Sequence, residues 1–378
     1  MKKLAIIGGG YMAGIYADNA HEMGLNTVAF SLKAGFADVS KFDQVYDIDI
    51  MDKNAVLNIC RELSIDGVVS TTELTIATAA YVADNLGLIN IPYKNAVEIT
   101  NKYRNRRISS SVKGLKHPRF ALVNSINEIV ELHFDYPIIL KPTSKGGKRG
   151  VVVVESISDI ENAFSYALKD SGSTLPLIVE EYIDADMECS VESLSYQGDN
   201  YIVQITEKVT SGPPHCVELA HHQPANIPDN LRQKIESIIS DGLNAIGLIN
   251  GPCHTEIRIK NDEIYLIEFN ARPGGDHIAY PLTDLSTGYS YIKGAISIAI
   301  NSFVPPEINM NNSKYSGVLF VTQQTKQWKS IFDNCEKQEW FFSKHSASEE
   351  LLSITHNNGF NLNYFIYCSD KRPDFLDV

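Results

Sequence analysis

The sequence predicts a mixed α/β and α+β protein: a doubly wound parallel domain first, then a region rich in antiparallel strands, then a small α+β tail. Three observations predict it. Over the first hundred residues, short apolar strands alternate with amphipathic helices, the pattern of a parallel sheet covered on both faces. From Thr100 onward the strands alternate in polarity and several are joined by tight turns, as antiparallel strands are. Pro305-Pro306 and the Asn-rich run from Asn309 to Ser313 mark a linker before the tail.

Lys3 to Gly8 reads as the first buried strand, and Tyr11 to Met23 as a helix closed by Gly24. NTVAFS and DQVYDID supply the second and third strands, Ala55 to Leu63 a helix, DGVVST a strand, and Ile76 to Leu86 a helix ending at Gly87. Ile91-Pro92-Tyr93 leads out of this domain. A basic helix, Asn101 to Arg107, opens the next region. FALV, a helix from Ser125, YPIILKP, the strand VVVVES and a helix from Asp159 follow it. LIVEEYI and ECSVESLSYQGDNYIVQITEKV, turning at Gln197-Gly198-Asp199, read as antiparallel strands. Leu231 to Gly247 is a long amphipathic helix. CHTEIRI and EIYLIEFN pair through Lys260-Asn261-Asp262, Tyr289 to Ile300 is a helix, and NLNYFIYC is a strand of the tail.

Composition narrows the function. A length of 378 residues exceeds one ordinary core. The formal charge of −13 repels phosphate backbones and anionic lipid, so neither nucleic acid nor membrane is an expected partner. An anionic nucleotide then needs a local cluster of cations. The six cysteines form no CxxC pair, which argues for reduced thiols in a cytoplasmic protein and against zinc. The N-terminal apolar run is broken by Gly8, Gly9 and Gly10, unlike a signal peptide.

Gly8, Gly10 and Gly14 invite a dinucleotide reading. The third glycine falls one position late, and the second strand ends in Phe30-Ser31 with no acidic residue for a ribose. A tight β-to-α turn is the better reading.

Three segments carry chemistry. In YPIILKPTSKGGKRGVVVVES, two strands flank Ser144 to Gly150, which holds three glycines and three cations. Glycine lets backbone N–H groups approach phosphate oxygens, and the cations offset their charge. A P-loop opens a helix, whereas this loop opens a strand, so it reads as a hairpin flap; a plain basic surface hairpin is the rival. In EIYLIEFNARPGGD, alternation places Leu266, Glu268 and Asn270 on one strand face, with Glu256 of the neighbouring strand opposite. Two carboxylates and an amide oxygen suit Mg²⁺. Arg272 follows with Gly274 and Gly275, whose N–H groups can approach an oxyanion. In LIVEEYIDADMECSVE, the backbone of Glu180-Glu181-Tyr182-Ile183 can meet an adenine edge and Glu188 a ribose, although a hairpin with solvent-facing glutamates is the better reading of that segment taken alone.

The series matters more than its members. Lys102 in a basic helix, Lys141 in a strand-Lys-Pro, the glycine-rich hairpin, EEYI, and E…E-x-N-x-R occur in that order, and the chain from 1 to 302 resembles the ATP-grasp superfamily. TEKVTSGPPHCVELAHHQPA, HTE and EFNARPGGD are similar to its L-amino-acid ligases, which form dipeptides. The resemblance implies a Rossmann-like pre-ATP-grasp domain (1–98), a small lobe with the lid (99–176), a large lobe (177–302) and a C-terminal subdomain (303–378). It implies that Lys102, Lys141, Ser144, Lys145, Gly146 and Gly147 meet the ATP phosphates. Glu180, Glu181, Tyr182 and Ile183 would frame adenine, and Glu188 the ribose. Lys208 would reach the γ-phosphate. Glu256, Glu268 and Asn270 would hold two Mg²⁺ ions, for which Mn²⁺ can substitute. Arg272, Gly274 and Gly275 would stabilise the transferring group and the tetrahedral intermediate. Glu218 with His221 or His222 would line the amino-acid pocket.

The implied reaction activates a small-molecule carboxylate as an acyl-phosphate and passes it to an amine, in a cytoplasmic enzyme for which a homodimer is allowed. The nearest rival loads an amino acid onto a carrier-protein thiol. More distant rivals are a non-catalytic nucleotide-binding module and a nicotinamide oxidoreductase.

Overall fold

A computed structural model describes the chain apart from residues 145, 173–174, 309–313, 357–358 and 378, and apart from the side chains of 170, 171 and 377. Lys145 and the expected linker run 309–313 therefore lie outside the described residues.

The N-terminal sheet has four parallel strands, Lys3–Ile7, Asn26–Ser31, Gln44–Asp47 and Gly67–Ser70, with the first strand between the second and fourth. Parallel strands need helical crossovers, and these cover both faces as the sequence predicts. Lys53–Glu62 and Glu73–Leu86 pack one face around Val28, Val68 and Val82. On the other face lie Tyr11–Glu22 and, from far along the chain, Tyr291–Ala299. Leu4, Ile6 and Tyr16 share one apolar cluster with Tyr291, Ile296 and Leu194, so this domain and the large lobe are welded through a common core.

The helix expected from Ile76 begins at Glu73. Thr75 Oγ1 accepts the Thr72 N–H at 3.1 Å, and this polar start carries no apolar periodicity to announce it. The three-residue difference brings Glu73 to the helix N-terminus.

The small lobe is an antiparallel sheet ordered Phe120–Val123, Leu177–Glu181, Ile138–Pro142, Val152–Val154, backed by Ile126–Glu131 and Ile160–Ser171. Its core of Val123, Leu140, Val154 and Leu177 is its own. Leu177–Glu181 thus lies in this lobe, beyond the boundary expected at 176. The reason is its register, Leu140 against Val179, which seats alternate apolar residues under the two helices.

The large lobe is built on a nine-stranded sheet running Met187–Tyr196, Asp199–Thr210, Glu218–Gln223, Gly251–Lys260, Glu263–Asn270 and onward. Helix Asp229–Ala245 closes its apolar face through Ile235, Ile239 and Leu243. The strands after residue 303, Tyr315–Val321, Phe341–His345 and Asn363–Ser369, add to the same sheet next to Glu218–Gln223, so the tail continues the large lobe's sheet. No helix among the described residues is long and apolar enough to cross a membrane.

Candidate active site

Helix Lys102–Ser109 starts at Asn101, whose side chain caps Arg104 N at 3.1 Å, and it runs beneath the junction of the lobes. Lys102 and Arg106 are one turn apart and share its inner face. Arg106 grips both oxygens of Glu180 and donates to Leu266 O, while Lys141 Nζ meets Glu180 Oε2 at 2.6 Å. All three side chains are buried. Burial would raise the Glu180 carboxyl, but Arg106 and Lys141 outweigh it and hold its pKa at about 2. Lys141 must share that carboxylate; burial, backed by Arg106 and Lys102, takes its pKa down to about 8. Glu180 is therefore an anchor for two cations at the cavity floor, and its carboxylate is not free for a purine edge.

Across the hairpin of Gly251–Lys260 and Glu263–Asn270, Glu256 stands directly opposite Glu268. Here the structure corrects the expected alternation. The register slips between Glu256 and Ile257, a bulge at Ile267 sends Leu266 into the apolar core, and Ile267 and Glu268 face the cavity. Each carboxylate is held by one oxygen. Glu268 Oε2 takes Lys102 Nζ at 2.6 Å, and Glu256 Oε1 takes Lys208 Nζ at 3.0 Å and His254 Nε2 at 3.3 Å. Their other oxygens carry no hydrogen bond among the described residues. Asn270, two residues beyond Glu268 and opposite His254 in the hairpin, is buried, and its Nδ2 has no partner among the described residues. A pair of hard, half-anchored carboxylates with a nearby amide fits divalent cations.

Lys208 is buried within an acidic triangle, 2.7 Å from Glu218, 3.0 Å from Glu256 and 3.9 Å from Glu188. Burial disfavours its charge, yet these carboxylates raise its pKa well above the usual lysine value. Arg258 clamps Glu188 Oε2 through Nε at 3.1 Å and a terminal nitrogen at 2.9 Å.

The glycine-rich loop folds down over these groups. Lys148 Nζ donates to Cys216 O at 2.6 Å and lies 3.4 Å from Glu188. A Cβ on Gly146 would overlap the Glu73 carboxylate, so the loop's backbone rests on the N-terminal domain. Glu73 in turn pairs with Arg272 at 3.3 Å.

These elements enclose a cavity of about 550 Å³ lined by Lys102, Lys141, Gly146, Gly147, Glu180, Glu188, Glu218, Glu256, Glu268, Arg272 and Gly275. Ile139, Val151, Val153 and Ile267 form an apolar slot at one end; Gly10, Tyr11, Glu73, Asp276 and Phe360 form the other. The N-terminal glycine turn is thus also a cavity wall. Other expected residues stand apart. Ser144 is exposed. Glu181 is exposed and takes Arg119 N at 3.1 Å; the Tyr182 ring lies under the Arg258 guanidinium; Ile183 O accepts from Arg258 at 2.9 Å. The Gly274 N–H points at Glu192 Oε2, 3.3 Å away, so Gly275 is the glycine facing the cavity. Strand alternation separates the two histidines. His221 Nε2 lies 3.1 Å from Glu218 Oε2, whereas His222 turns to the opposite face and meets the Tyr367 hydroxyl at 3.1 Å. Burial pushes the His222 pKa down to about 3, as for a neutral core imidazole.

Glu73, Arg106, Glu192 and Arg258 have no role in the sequence reading, and His254 and Asp276 enter it only as members of the HTE and EFNARPGGD segments. Spacing offers a signal for Arg106, four residues after Lys102, and for Glu192, which continues the Glu188, Ser190 alternation. Asp276 closes the EFNARPGGD segment, next to the glycines that carry the expected oxyanion role.

Residues 134–280 match the family model of the ATP-grasp domain. Curated relatives include formate-dependent phosphoribosylglycinamide formyltransferases. That of Saccharolobus solfataricus is 22% identical over 346 residues, covering 89% of this chain and 85% of that protein. That of Prochlorococcus marinus is 26% identical over 283 residues, covering 72% and 70%. Among solved structures, the L-amino acid ligase from Bacillus licheniformis superposes with a TM-score of 0.81 at 21% identity, over 98% of this chain and 94% of that one. The N5-carboxyaminoimidazole synthetase from Staphylococcus aureus, complexed with ADP, gives 0.77 at 17% identity, over 98% and 94%.

Proposed function

We propose that this chain, whose residues 134–280 are an ATP-grasp domain, is an ATP-dependent ligase that activates a carboxylate as its acyl-phosphate and joins it to an amine, releasing ADP and phosphate. The observation that carries this reading is the gathering of two half-anchored carboxylates, Glu256 and Glu268, with Lys102 and Lys141 around one cavity. Acid oxygens concentrated in this way are costly unless cations and an anionic substrate complete the site.

ATP would lie with its purine in the slot of Ile139, Val151, Val153 and Ile267, its ribose at Glu188, and its phosphates between Lys102, Lys141 and the Gly146-Gly147 backbone. Glu256, Glu268 and Asn270 would hold Mg²⁺, which when bound supplies charge neutralisation for the γ-phosphoryl group. A substrate carboxylate oxygen attacks the γ-phosphorus, the bond to ADP breaks, and Arg272 balances charge on the transferred group. The amine then attacks the acyl carbon, phosphate leaves, and the amine gives up a proton. Glu218 and Asp276 stand where an ammonium would be held and deprotonated. Burial raises the Asp276 pKa, with Glu218 adding to it, which suits a proton acceptor. The glycine loop, seated on Glu73, keeps water from the acyl-phosphate.

An amino acid as the amine is supported by the acceptor end, where Tyr11 stacks on Phe360 at 4.1 Å in the same cavity as the Glu218 and Asp276 carboxylates, and where Arg272 is already paired with Glu73. The uncapped start of helix Tyr11–Glu22 and Arg149, on the same cavity, are where a phosphorylated amine would be held instead. Dipeptide formation is accordingly the finer reading. Incubation of the protein with Mg-ATP and a panel of amino-acid pairs, followed by phosphate assay and mass spectrometry, tests it. The expected products are ADP, phosphate and a dipeptide. AMP with pyrophosphate would overturn the acyl-phosphate chemistry, and turnover only with a phosphorylated amine would overturn the acceptor.

A further inference from the structure

We propose that Glu192 and His254 are positioning residues that fix the orientation of Glu256 and tie it to the Arg272–Gly275 loop. This rests on the reading of Glu256 as a metal ligand.

Glu192 lies on Met187–Tyr196, inside the nine-stranded sheet, and is fully buried. A carboxylate there demands a counter-charge. No lysine or arginine among the described residues reaches it. Its partners are His254 Nδ1 at 2.6 Å, Ser190 Oγ at 3.2 Å and Gly274 N at 3.3 Å. His254 is its direct cross-strand neighbour, so the contact is built into the sheet register. The other ring nitrogen, Nε2, faces Glu256 Oε1 at 3.3 Å. Carboxylate oxygens only accept, so an imidazole set between two of them donates from both nitrogens and serves as the cation that Glu192 requires.

The geometry has a direct consequence for Glu256. Its Oε1 is held by two donors while Oε2 carries no hydrogen bond among the described residues. Lys208 is one of the donors, but its flexible chain serves Glu218 and Glu188 as well. The His254 ring is pinned at both ends and supplies direction. On the far side, a Cβ on Gly274 would stand 2.8 Å from His254 Nδ1 and 3.0 Å from Glu192 Oε2. Only glycine lets the loop that carries Arg272 pack directly on the pair. The cation-binding carboxylate and the Arg272 loop therefore share one anchor, a carboxylate–histidine–ligand relay of the type that orients metal ligands.

The test compares wild type with His254→Ala, His254→Gln and Glu256→Gln. It measures Mn²⁺ binding in the presence of ADP by electron paramagnetic resonance of free Mn²⁺, with nucleotide affinity in EDTA as the second readout. His254→Ala is expected to weaken Mn²⁺ binding by 10- to 100-fold and to leave metal-free ADP affinity unchanged. His254→Gln, which can still bridge two acceptors, should recover part of the loss. In a Glu256→Gln background, His254→Ala should add nothing. Unaltered Mn²⁺ binding in His254→Ala, or the same loss in both backgrounds, overturns the positioning role and leaves the ligase reading standing. Absence of Mn²⁺ binding in the wild-type protein with ADP overturns both. Circular dichroism at the assay temperature identifies unfolding, and His254→Gln carries the test if the alanine variant does not fold.

Discussion

Replacing Glu180 with glutamine should destabilise the junction between the lobes by about 3 kcal/mol, and the loss should depend on pH in a defined direction. The carboxylate is 1% exposed and paired with two buried cations, so solvent screening is negligible. Its pKa falls from 4.5 to about 2 on folding. At about 1.36 kcal/mol per pH unit, that gap corresponds to about 3 kcal/mol. The figure agrees with the roughly 3–5 kcal/mol lost when one member of a buried ion pair is removed. For an acid with a depressed folded pKa, the contribution is complete above the unfolded value and disappears as pH falls toward the folded one. The wild-type advantage over Glu180→Gln should therefore be full at pH 6–7, shrink below about 4.5, and vanish near 2. Native-state hydrogen exchange at Leu177–Glu181 and Lys102–Ser109, compared at pH 6.5 and pH 4, reads this locally, without assuming that a multilobed protein unfolds in two states. Equal protection in wild type and variant at pH 6.5, or an undiminished difference at low pH, would refute the account of this anchor.

Three further outcomes follow from the cavity. Glu268→Gln weakens the Lys102 contact and removes one oxygen of the proposed cation site, so the gain in ATP affinity on adding Mg²⁺ should drop at least about tenfold; fluorescence titration of an ATP analogue with and without Mg²⁺ checks it, and an unchanged gain contradicts the assignment. Arg272→Ala should keep ATP affinity within a few-fold and lower turnover by roughly 10²–10³, read as phosphate release; full activity would remove it from the reaction. Gly146→Ala places a methyl group against Glu73 and should hold the lid open, which raises the ratio of phosphate released to product formed; a ratio equal to wild type would show that this contact does not seal the site.

The sequence made the strands, the flap and the E…E-x-N-x-R ending legible because each has a short-range signature: period-two alternation, glycine with lysine, and carboxylates at matched positions of a hairpin. It gave less about which way each side chain turns. One bulge at Ile267 reversed the face of Leu266 while leaving Glu268 toward the cavity. Strand register set Gly274 against Glu192 and left Gly275 exposed to the cavity. Glu73 has no local signature, because the helix that follows Thr72 carries no apolar stripe in its first turn. His254 and Glu192 are 62 residues apart, and only the pairing of their strands makes them partners.

The shared apolar cluster joining Leu4 and Tyr16 to Tyr291 and Ile296 makes the N-terminal domain and the large lobe one continuous body. The Tyr11–Phe360 stack and the paired carboxylates Glu256 and Glu268 both belong to that body, so the distance between them is decided when the chain folds. The small lobe keeps a core of its own and joins that body through the buried Glu180–Arg106 pair. Substitutions within the weld would change the distance between stack and carboxylates, whereas loss of the Glu180 anchor would loosen only the small lobe.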